Sequence, residues 1–206
     1  CVFISDEKNH ASMIQGIKNS GAKKLIFKHN DLIDLEKKLL AAEKNQTKVI
    51  LFESVYSMDG DFSPIREICN LAKKYNALTF LDEVHAVGIY GNRGAGVAEK
   101  LGVRDQIDII QGTLAKSFGV IGGYITGRKE LVDFIRSFAS GFIFTTSMMP
   151  SVAAAATKSI EIVEHLDKER RDIFNKAKYF KQKLKILDIP FIDSESHIIP
   201  ILTHDT

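Results

Sequence analysis

The residues best suited to chemistry in this chain are a lysine, an aspartate and a histidine that follow two apolar runs. Lys116 lies in the segment GTLAKSFG, residues 112–119, shortly after the mostly apolar run IDII, residues 107–110. Asp82 ends an earlier apolar run, and His85 follows three residues later. Burial lowers the pKa of an ammonium group, so an amine beside a buried strand is suited to Schiff-base formation. Taken alone, the lysine segment is more typical of a solvated turn.

Together these three side chains meet the needs of a pyridoxal phosphate (PLP) site. Such a site requires an anion for the pyridinium nitrogen, a donor for the phenolic oxygen and an amine for the aldehyde. Asp82, His85 and Lys116 supply these groups in that order. Thr113 adds a hydroxyl for the phosphate three residues before the lysine. The pattern predicts a PLP enzyme with Lys116, His85 and Asp82 as its catalytic residues.

The glycine-rich segment 88–96 invites a dinucleotide-binding interpretation, which we reject. That fingerprint is G-x-G-x-x-G at the turn from the first strand to its helix. Here the order is G-x-x-G-x-G, and the segment lies several residues past the strand. We interpret these glycines as a flexible loop beside the active site.

Strand-like and helix-like segments alternate along the chain, which predicts βαβ units and a parallel sheet. Apart from Lys48 at its start, the segment 48–52 is a continuous apolar run, typical of a central strand that is buried on both faces. Residues 198–202 are a second strand-like segment near the end of the chain. The predicted helix features are an amino-terminal cap at Asn9 or Ser5, an apolar stripe of Leu32, Leu35, Leu39 and Leu40, and a cap at Ser63 followed by Pro64.

The whole chain resembles the α-oxoamine synthase family of PLP enzymes. The segments that carry the resemblance are residues 5–14 (SDEKNHASMI), 53–61 (ESVYSMDGD), 83–88 (EVHAVG), 122–125 (GGYI) and 144–147 (FTTS). Within the family, the chain is most similar to the branch that condenses glycine with succinyl-CoA for tetrapyrrole and heme synthesis. One departure is Ala115-Lys116-Ser117, where Gly-Lys-Ala is expected, and this change replaces small residues by small residues.

The resemblance implies an α/β fold, the three-layer large domain of PLP-dependent aminotransferase-like (fold-type I) enzymes. Its sheet should be mostly parallel, with one antiparallel strand near 120–126. We expect residues 1–166 to form this PLP-binding domain without its amino-terminal part. Residues 167–206 should contain a linker helix and the truncated start of a small carboxyl-terminal domain. Because the chain opens within a strand-like segment and lacks an initiator methionine, we interpret it as a fragment.

The resemblance also implies roles for residues that their sequence context would leave structural. His10 would stack on the pyridine ring, although a histidine at a helix start is usually a surface or capping residue. Ser57 would lie near the phenolic oxygen, where the pattern alone indicates a turn serine. Ser5 and Lys24 match positions that contact substrate.

Thr145 and Thr146 precede a helix and are suited either to anion binding or to ordinary helix capping. In the family this segment reaches the phosphate of the neighbouring subunit's cofactor. The resemblance therefore implies a homodimer with shared active sites, and glycine and succinyl-CoA as substrates. Two alternatives remain open: a sibling enzyme that makes 2-amino-3-ketobutyrate or 8-amino-7-oxononanoate, and a non-catalytic partner subunit, against which Lys116 counts.

Composition narrows the remaining classes of partner. The formal charge is +2, and the paired lysines fit a solvated helix face, so we expect no nucleic-acid partner. No apolar run approaches the roughly 20 residues of a membrane helix, and we expect no membrane contact. Cys1 and Cys69 fit a reducing compartment, either bacterial cytoplasm or the mitochondrial matrix. We predict no metal site, and we interpret His165, His197 and His204 as structural.

Overall fold

The computed structural model describes residues 1–203 and contains a six-stranded sheet with the strand order β2-β1-β3-β4-β5-β6. The strands are β1 (Val2–Asp6), β2 (Lys23–Phe27), β3 (Lys48–Glu53), β4 (Ala77–Asp82), β5 (Ile109–Thr113) and β6 (Gly123–Gly127). Strands β1 to β5 are parallel, and β6 pairs antiparallel with β5. The predicted α/β fold, its mostly parallel sheet and its antiparallel member are confirmed.

Helices follow most of the strands. The α-helices are α1 (Ala11–Ser20), α2 (Leu32–Ala41), α3 (Ile65–Lys74), α4 (Val97–Leu101), α5 (Lys129–Phe138), α6 (Ser140–Ile143), α7 (Pro150–Val163) and α8 (Asp167–Ile186). No helix within residues 1–203 combines the length and the apolar character needed to cross a membrane.

The central strand β3 is buried on both faces, as its continuous apolar sequence predicted. Ile50 and Phe52 pack in the main core with Leu35 of α2. Leu51, which alternates with them along the strand, packs instead with Met13 of α1. Because successive side chains of a strand lie on opposite faces, α1 and α2 cover opposite sides of the sheet. The sheet is therefore the middle of three layers.

The predicted amino-terminal cap of α1 is wrong. His10 caps this helix, and its ring nitrogen Nδ1 accepts the Ser12 backbone N–H at 3.2 Å. Asn9 is buried, and its amide donates to the Ser5 hydroxyl at 2.9 Å and to the Leu51 carbonyl at 2.8 Å. Because the Asn9 side chain joins β1 to β3 through these bonds, it cannot cap the helix, and the next residue, His10, is the cap.

The cap of α3 also differs from the prediction. Pro64 occupies the cap position, and no side chain caps the helix. The Ser63 hydroxyl donates instead to the Glu53 carbonyl at 2.6 Å. This contact fixes the start of α3 to the carboxyl end of β3.

Two further predictions are wrong: the place of Leu40 in the apolar stripe of α2, and the strand at 198–202. Leu40 is 65% exposed, because a helix turns about 100° per residue and places it away from the buried Leu35 and Leu39. The segment 198–202 forms no strand among the described residues; Ile201 makes only an isolated antiparallel bridge with Phe191. His204 lies outside the described residues.

The chain after residue 166 packs on the glycine-rich loop 88–96. The buried Arg170 guanidinium donates to the Val163 carbonyl at 2.6 Å and to the Asn92 carbonyl at 2.7 Å. The Tyr90 hydroxyl hydrogen-bonds His197 Nδ1 at 2.9 Å. These contacts hold the loop between the sheet and α8, while the domain boundary at 166 stays a prediction.

Candidate functional site

A cavity of about 860 Å³ lies where β3, β4 and β5 end. Five of the residues predicted from the sequence line it together: His10, Asp82, His85, Thr113 and Lys116. Because parallel strands present their carboxyl ends at one edge of the sheet, residues far apart in sequence meet there.

Asp82 is the last residue of β4 and is only 4% exposed. One carboxylate oxygen accepts the Val84 N–H at 2.8 Å, and the other accepts the Gln111 side-chain amide at 3.1 Å. Burial raises the pKa of Asp82, while the Val84 N–H and the charges of His10 and Lys116 oppose this shift. The two hydrogen bonds fix the carboxylate and favour its ionised form.

Lys116 lies on a turn just past the end of β5, and the structure fixes this turn from both sides. The Ser117 hydroxyl donates to the Val87 carbonyl at 2.8 Å, and the Ser159 hydroxyl of α7 donates to the Phe118 carbonyl at 2.8 Å. Lys116 itself is exposed, in contrast to the buried amine that the sequence predicted. The reason is its place on the turn rather than within the strand.

Gly88 allows the lysine turn to approach the loop that carries His85. Its φ angle is +80°, and a Cβ atom built on it would lie 2.3 Å from the Ser117 Cβ. A side chain at this position would therefore need both a strained backbone and a displacement of the turn. The close approach keeps Lys116 and His85 in one cavity.

His85 supplies a neutral imidazole. Burial, together with the Lys116 ammonium, His197 and His10, lowers its pKa to about 4. At neutral pH the ring therefore carries one N–H donor and one acceptor nitrogen. Such a ring can donate a hydrogen bond to a ligand oxygen without adding a positive charge.

His10 and Thr113 are the other two predicted residues in the cavity. His10 lies between β1 and α1, and Thr113 is the last residue of β5. The His10 backbone N–H donates to Glu53 Oε1 at 2.5 Å, and its ring nitrogen Nδ1 lies 2.8 Å from the Ser12 hydroxyl. The Thr113 hydroxyl accepts the Ala115 N–H at 3.1 Å and contacts the Gly122 carbonyl at 3.3 Å. Both residues are thus held by hydrogen bonds beside the cavity.

The predicted substrate residues do not line this cavity. Ser5 is 4% exposed, and its hydroxyl donates to the Asp6 carbonyl at 3.1 Å. Lys24 is exposed on β2, which lies at one edge of the sheet. Their roles toward substrate stay predictions.

Three predicted cofactor residues also lie outside the cavity lining. Ser57 is half-buried in the loop that follows β3. Thr145 and Thr146 are exposed between α6 and α7, and the Thr145 hydroxyl donates to the Gly141 carbonyl. No side chain caps α7, whose first turn begins with Pro150. Ordinary helix capping therefore does not account for the two threonines.

Glu53 and Gln111 are among the polar residues of the cavity that were not predicted from the sequence. Glu53 ends β3 and faces Asp82 in the strand register. Gln111 lies within β5 and orients the Asp82 carboxylate. The sequence contains one signal for Glu53, since this carboxylate directly follows the apolar residues of β3. Its role could not be inferred from that signal, because its neighbour Asp82 is set by the pairing of β3 with β4.

Glu83 fixes the loop that carries His85 at its far end. This carboxylate is fully buried and accepts the backbone N–H groups of Val97 at 3.0 Å and Ala98 at 2.7 Å. Burial raises its pKa to about 7, while the hydrogen bonds from these two N–H groups oppose the shift. The loop from 84 to 96 is thereby closed between the end of β4 and the start of α4.

A second cluster of ionisable residues lies away from this cavity. Atoms of His29, Asp59 and Asp61 lie within 4.8 Å of one another, as metal ligands would. However, the His29 nitrogens already hydrogen-bond Asp6 at 2.9 Å and Asp61 at 2.7 Å, and Lys8 pairs with Asp59 at 2.9 Å. We interpret the cluster as ion pairs that fix the loop after β3.

The donor set of the cavity fits PLP. It combines a hydrogen-bonded carboxylate, a neutral imidazole, an amine on a fixed turn and a threonine hydroxyl. These are the groups needed beside the ring nitrogen, the phenolic oxygen, the aldehyde and the phosphate.

Comparison with known proteins supports this assignment. The profile of the aminotransferase class I and II family matches residues 1–206. The chain belongs to this family. This aminotransferase-family chain is 55% identical over 206 residues to the mitochondrial 5-aminolevulinate synthase of Schizosaccharomyces pombe. It is 54% identical over 204 residues to the 5-aminolevulinate synthase of Rickettsia bellii. The resemblance inferred from the motifs is confirmed.

The fold of the aminotransferase-family chain is also shared with solved structures. It superposes with a TM-score of 0.94 and 32% identity on a serine palmitoyltransferase variant from S. paucimobilis with a bound PLP–myriocin adduct, covering 100% of this chain and 54% of that one. The chain covers 37% of the S. pombe protein and 49% of the R. bellii protein. It therefore spans half or less of the length of these curated relatives.

Proposed function

We propose that this chain provides the PLP site of a 5-aminolevulinate synthase, which condenses glycine with succinyl-CoA and releases CoA and CO2. The observation that carries the proposal is that Lys116, Asp82 and His85 line the same cavity. Relatives named 5-aminolevulinate synthase, 54% and 55% identical to the chain, support the choice of reaction.

When bound, PLP supplies an electron sink for negative charge at the glycine α-carbon. Lys116 would hold the cofactor at its aldehyde carbon, and its Nζ atom is the base placed to move the α-proton of glycine. Asp82 would keep the ring nitrogen protonated through a charge-assisted hydrogen bond. His85 would donate to the phenolic oxygen and is also suited to polarise the acyl carbonyl. His10 would stack on the pyridine ring.

The remaining predicted contacts belong to the same proposal. Thr113 and Ser57 would bind the phosphate and the phenolic oxygen, respectively, while Ser5 and Lys24 would contact substrate. Thr145 and Thr146 would reach the phosphate of the partner subunit, so that a homodimer completes each site. Relatives of both mitochondrial and bacterial origin support the mitochondrial matrix or the bacterial cytoplasm as the compartment.

The test uses the full-length protein. Purified with PLP, it should show a visible absorption band, and borohydride reduction followed by peptide mass spectrometry should place the cofactor on Lys116. Lys116→Ala should abolish both the band and turnover, whereas Lys129→Ala, a change at an exposed lysine outside the cavity, should alter neither. Cofactor mass on another lysine would contradict the assignment of Lys116.

The choice of acyl donor distinguishes the proposed reaction from its siblings. Turnover of glycine should require succinyl-CoA. Preference for acetyl-CoA would favour synthesis of 2-amino-3-ketobutyrate, and a preference for alanine with pimeloyl-CoA would favour synthesis of 8-amino-7-oxononanoate. A protein that binds PLP but turns over none of these substrates would support the non-catalytic alternative.

A further inference from the structure

Glu53 is a buried carboxyl group that stands beside Asp82 in the cavity. It ends β3 in register with Asp82 at the end of β4, and each residue is only 4% exposed. Neighbouring strands of a sheet lie about 5 Å apart, so the two carboxyl groups are close neighbours. Both line the cavity.

No cation within residues 1–203 forms an ion pair with Glu53 or Asp82 at 4.0 Å or less. The charged groups that act on Glu53 are Asp82 of β4, Asp6 of β1 and His29 after β2. The other neighbours with ionisable side chains contact it through the backbone: the His10 N–H binds its carboxyl group, and its own N–H binds the Tyr56 hydroxyl. Two adjacent buried carboxyl groups without a counter-ion do not both ionise, because their charges repel in a poorly solvated site.

The hydrogen bonds decide which of the two groups carries the charge. Asp82 accepts two N–H donors, from Val84 and Gln111, and these stabilise an anion. Glu53 accepts one, the His10 backbone N–H at 2.5 Å. Burial and the charge of Asp82 raise the pKa of Glu53 to about 8, which agrees with this assignment. The proton of the pair therefore lies on Glu53.

We propose that Glu53 is a positioning residue of the PLP site: as the neutral member of a carboxyl pair, it confines the negative charge to Asp82 and holds the start of α1, with His10, through the His10 backbone N–H. The inference rests on the proposed function, since it assigns the pair to the cofactor site. Glu53 then contributes a hydrogen-bond acceptor for the His10 N–H and no negative charge.

The protonation state is tested by infrared spectroscopy on the full-length protein without cofactor. Spectra at about pH 6.5 and about pH 9.5 fall on either side of the Glu53 pKa of about 8. Glu83 is a buried carboxyl outside the cavity lining whose pKa of about 7 also lies in this range, so the comparison uses proteins that carry Glu83→Gln. The Glu83→Gln variant should lose a carboxylic-acid C=O band between these values, and the double variant with Glu53→Gln should lack that band. A band change of the same size in the double variant would overturn the proposal.

The positioning role is tested by the affinity for PLP, measured by titration of the cofactor-free full-length protein. Glutamine retains a side-chain oxygen for the His10 N–H, whereas leucine leaves this buried donor unpaired. Glu53→Leu should therefore raise the dissociation constant of PLP about tenfold more than Glu53→Gln does. Equal effects would overturn the positioning role, and the infrared comparison stands even where the leucine variant does not fold.

The two tests separate this inference from the proposed function. A wild-type protein that does not bind PLP would refute the proposed function, whereas the infrared band depends only on the Glu53 side chain. A protein that binds PLP on Lys116 but shows no band assignable to Glu53 would leave the function intact and refute the inference.

Discussion

At the scale of single residues, the site depends on which groups are charged near the ends of β3 and β4. Asp82 combines burial with two N–H donors, so its negative charge is both fixed in place and poorly screened by water. A charge held in this way acts strongly on a positive group brought beside it.

We expect Asp82→Asn to lower kcat of the full-length enzyme by about 10²–10³, because one charge-assisted hydrogen bond in a dry site is lost. Asp82→Glu should retain more activity, since it keeps the charge. Asp108→Asn is a matched control: Asp108 accepts the Thr79 N–H at 2.9 Å but lies outside the cavity lining, so its loss should affect stability rather than kcat. Equal loss from Asp82→Asn and Asp82→Glu would indicate a packing role.

His85 should make the stability of the protein depend on pH. Its folded pKa of about 4 lies below the ordinary value of 6.5, so the unfolded chain binds more protons between these values. Stability should therefore fall as the pH is lowered from about 6.5 to about 4. The urea concentrations at the unfolding midpoints of wild type and His85→Asn should converge as the pH falls over this range. His165→Asn, a change at an exposed histidine, is the control and should keep a constant difference from wild type. A constant difference between the midpoints of wild type and His85→Asn would contradict the shift.

At the scale of elements, the lysine turn and the glycine-rich loop are positioned by each other rather than by the sheet alone. The Ser117 hydroxyl bonds the loop at Val87, and Gly88 leaves room for this approach. The catalytic geometry therefore depends on a contact between two irregular segments.

Gly88→Ala should disturb this contact, because its Cβ would lie 2.3 Å from the Ser117 Cβ. Gly21→Ala is the matched control: its φ angle is +65°, but no atom lies within 4 Å of the added Cβ. We expect Gly21→Ala to cost about 1 kcal/mol of backbone strain. Gly88→Ala should cost more and should also weaken PLP binding at least about tenfold, since the clash is next to Lys116. If Gly88→Ala and Gly21→Ala lowered the free energy of unfolding and the affinity for PLP by equal amounts, this contact would not have the proposed role.

The elements themselves were largely predictable, because apolar runs and helical periodicity are local properties. The strand 48–52 and the helix after Asp31 are examples. The cap of α1 was not predictable, since Asn9 is taken by partners on β1 and β3 that only the folded chain brings near it. For the same reason Glu53 was overlooked: its partner Asp82 is assigned by strand register.

At the scale of the whole molecule, the segment between α5 and α7 presents an apolar surface. Phe142, Phe144 and Met149 are 63%, 86% and 67% exposed, and they flank Thr145 and Thr146. Exposed aromatic and methionine side chains of this kind are typical of a protein interface. Their position agrees with the proposed partner-subunit contact.

We expect activity to return when two inactive full-length variants are mixed. One carries Lys116→Ala and the other carries Thr145→Ala with Thr146→Ala. If subunits share sites, each mixed dimer has one site with both defects and one intact site. Random exchange should then restore about a quarter of wild-type activity, because half of the dimers are mixed. Exchange confirmed by mass spectrometry without any return of activity would refute site sharing.

The buried contact between Glu83 and α4 has a consequence for local motion. Amide groups in the first turn of a helix are normally open to water, and their hydrogens exchange quickly. Here the Val97 and Ala98 amides are bound to the Glu83 carboxyl group inside the core, and releasing them would leave this buried polar group without those hydrogen bonds. Deuterium labelling should therefore find these two amides as protected as those of the central strands. The irregular loop that carries His85 would then open only together with the sheet.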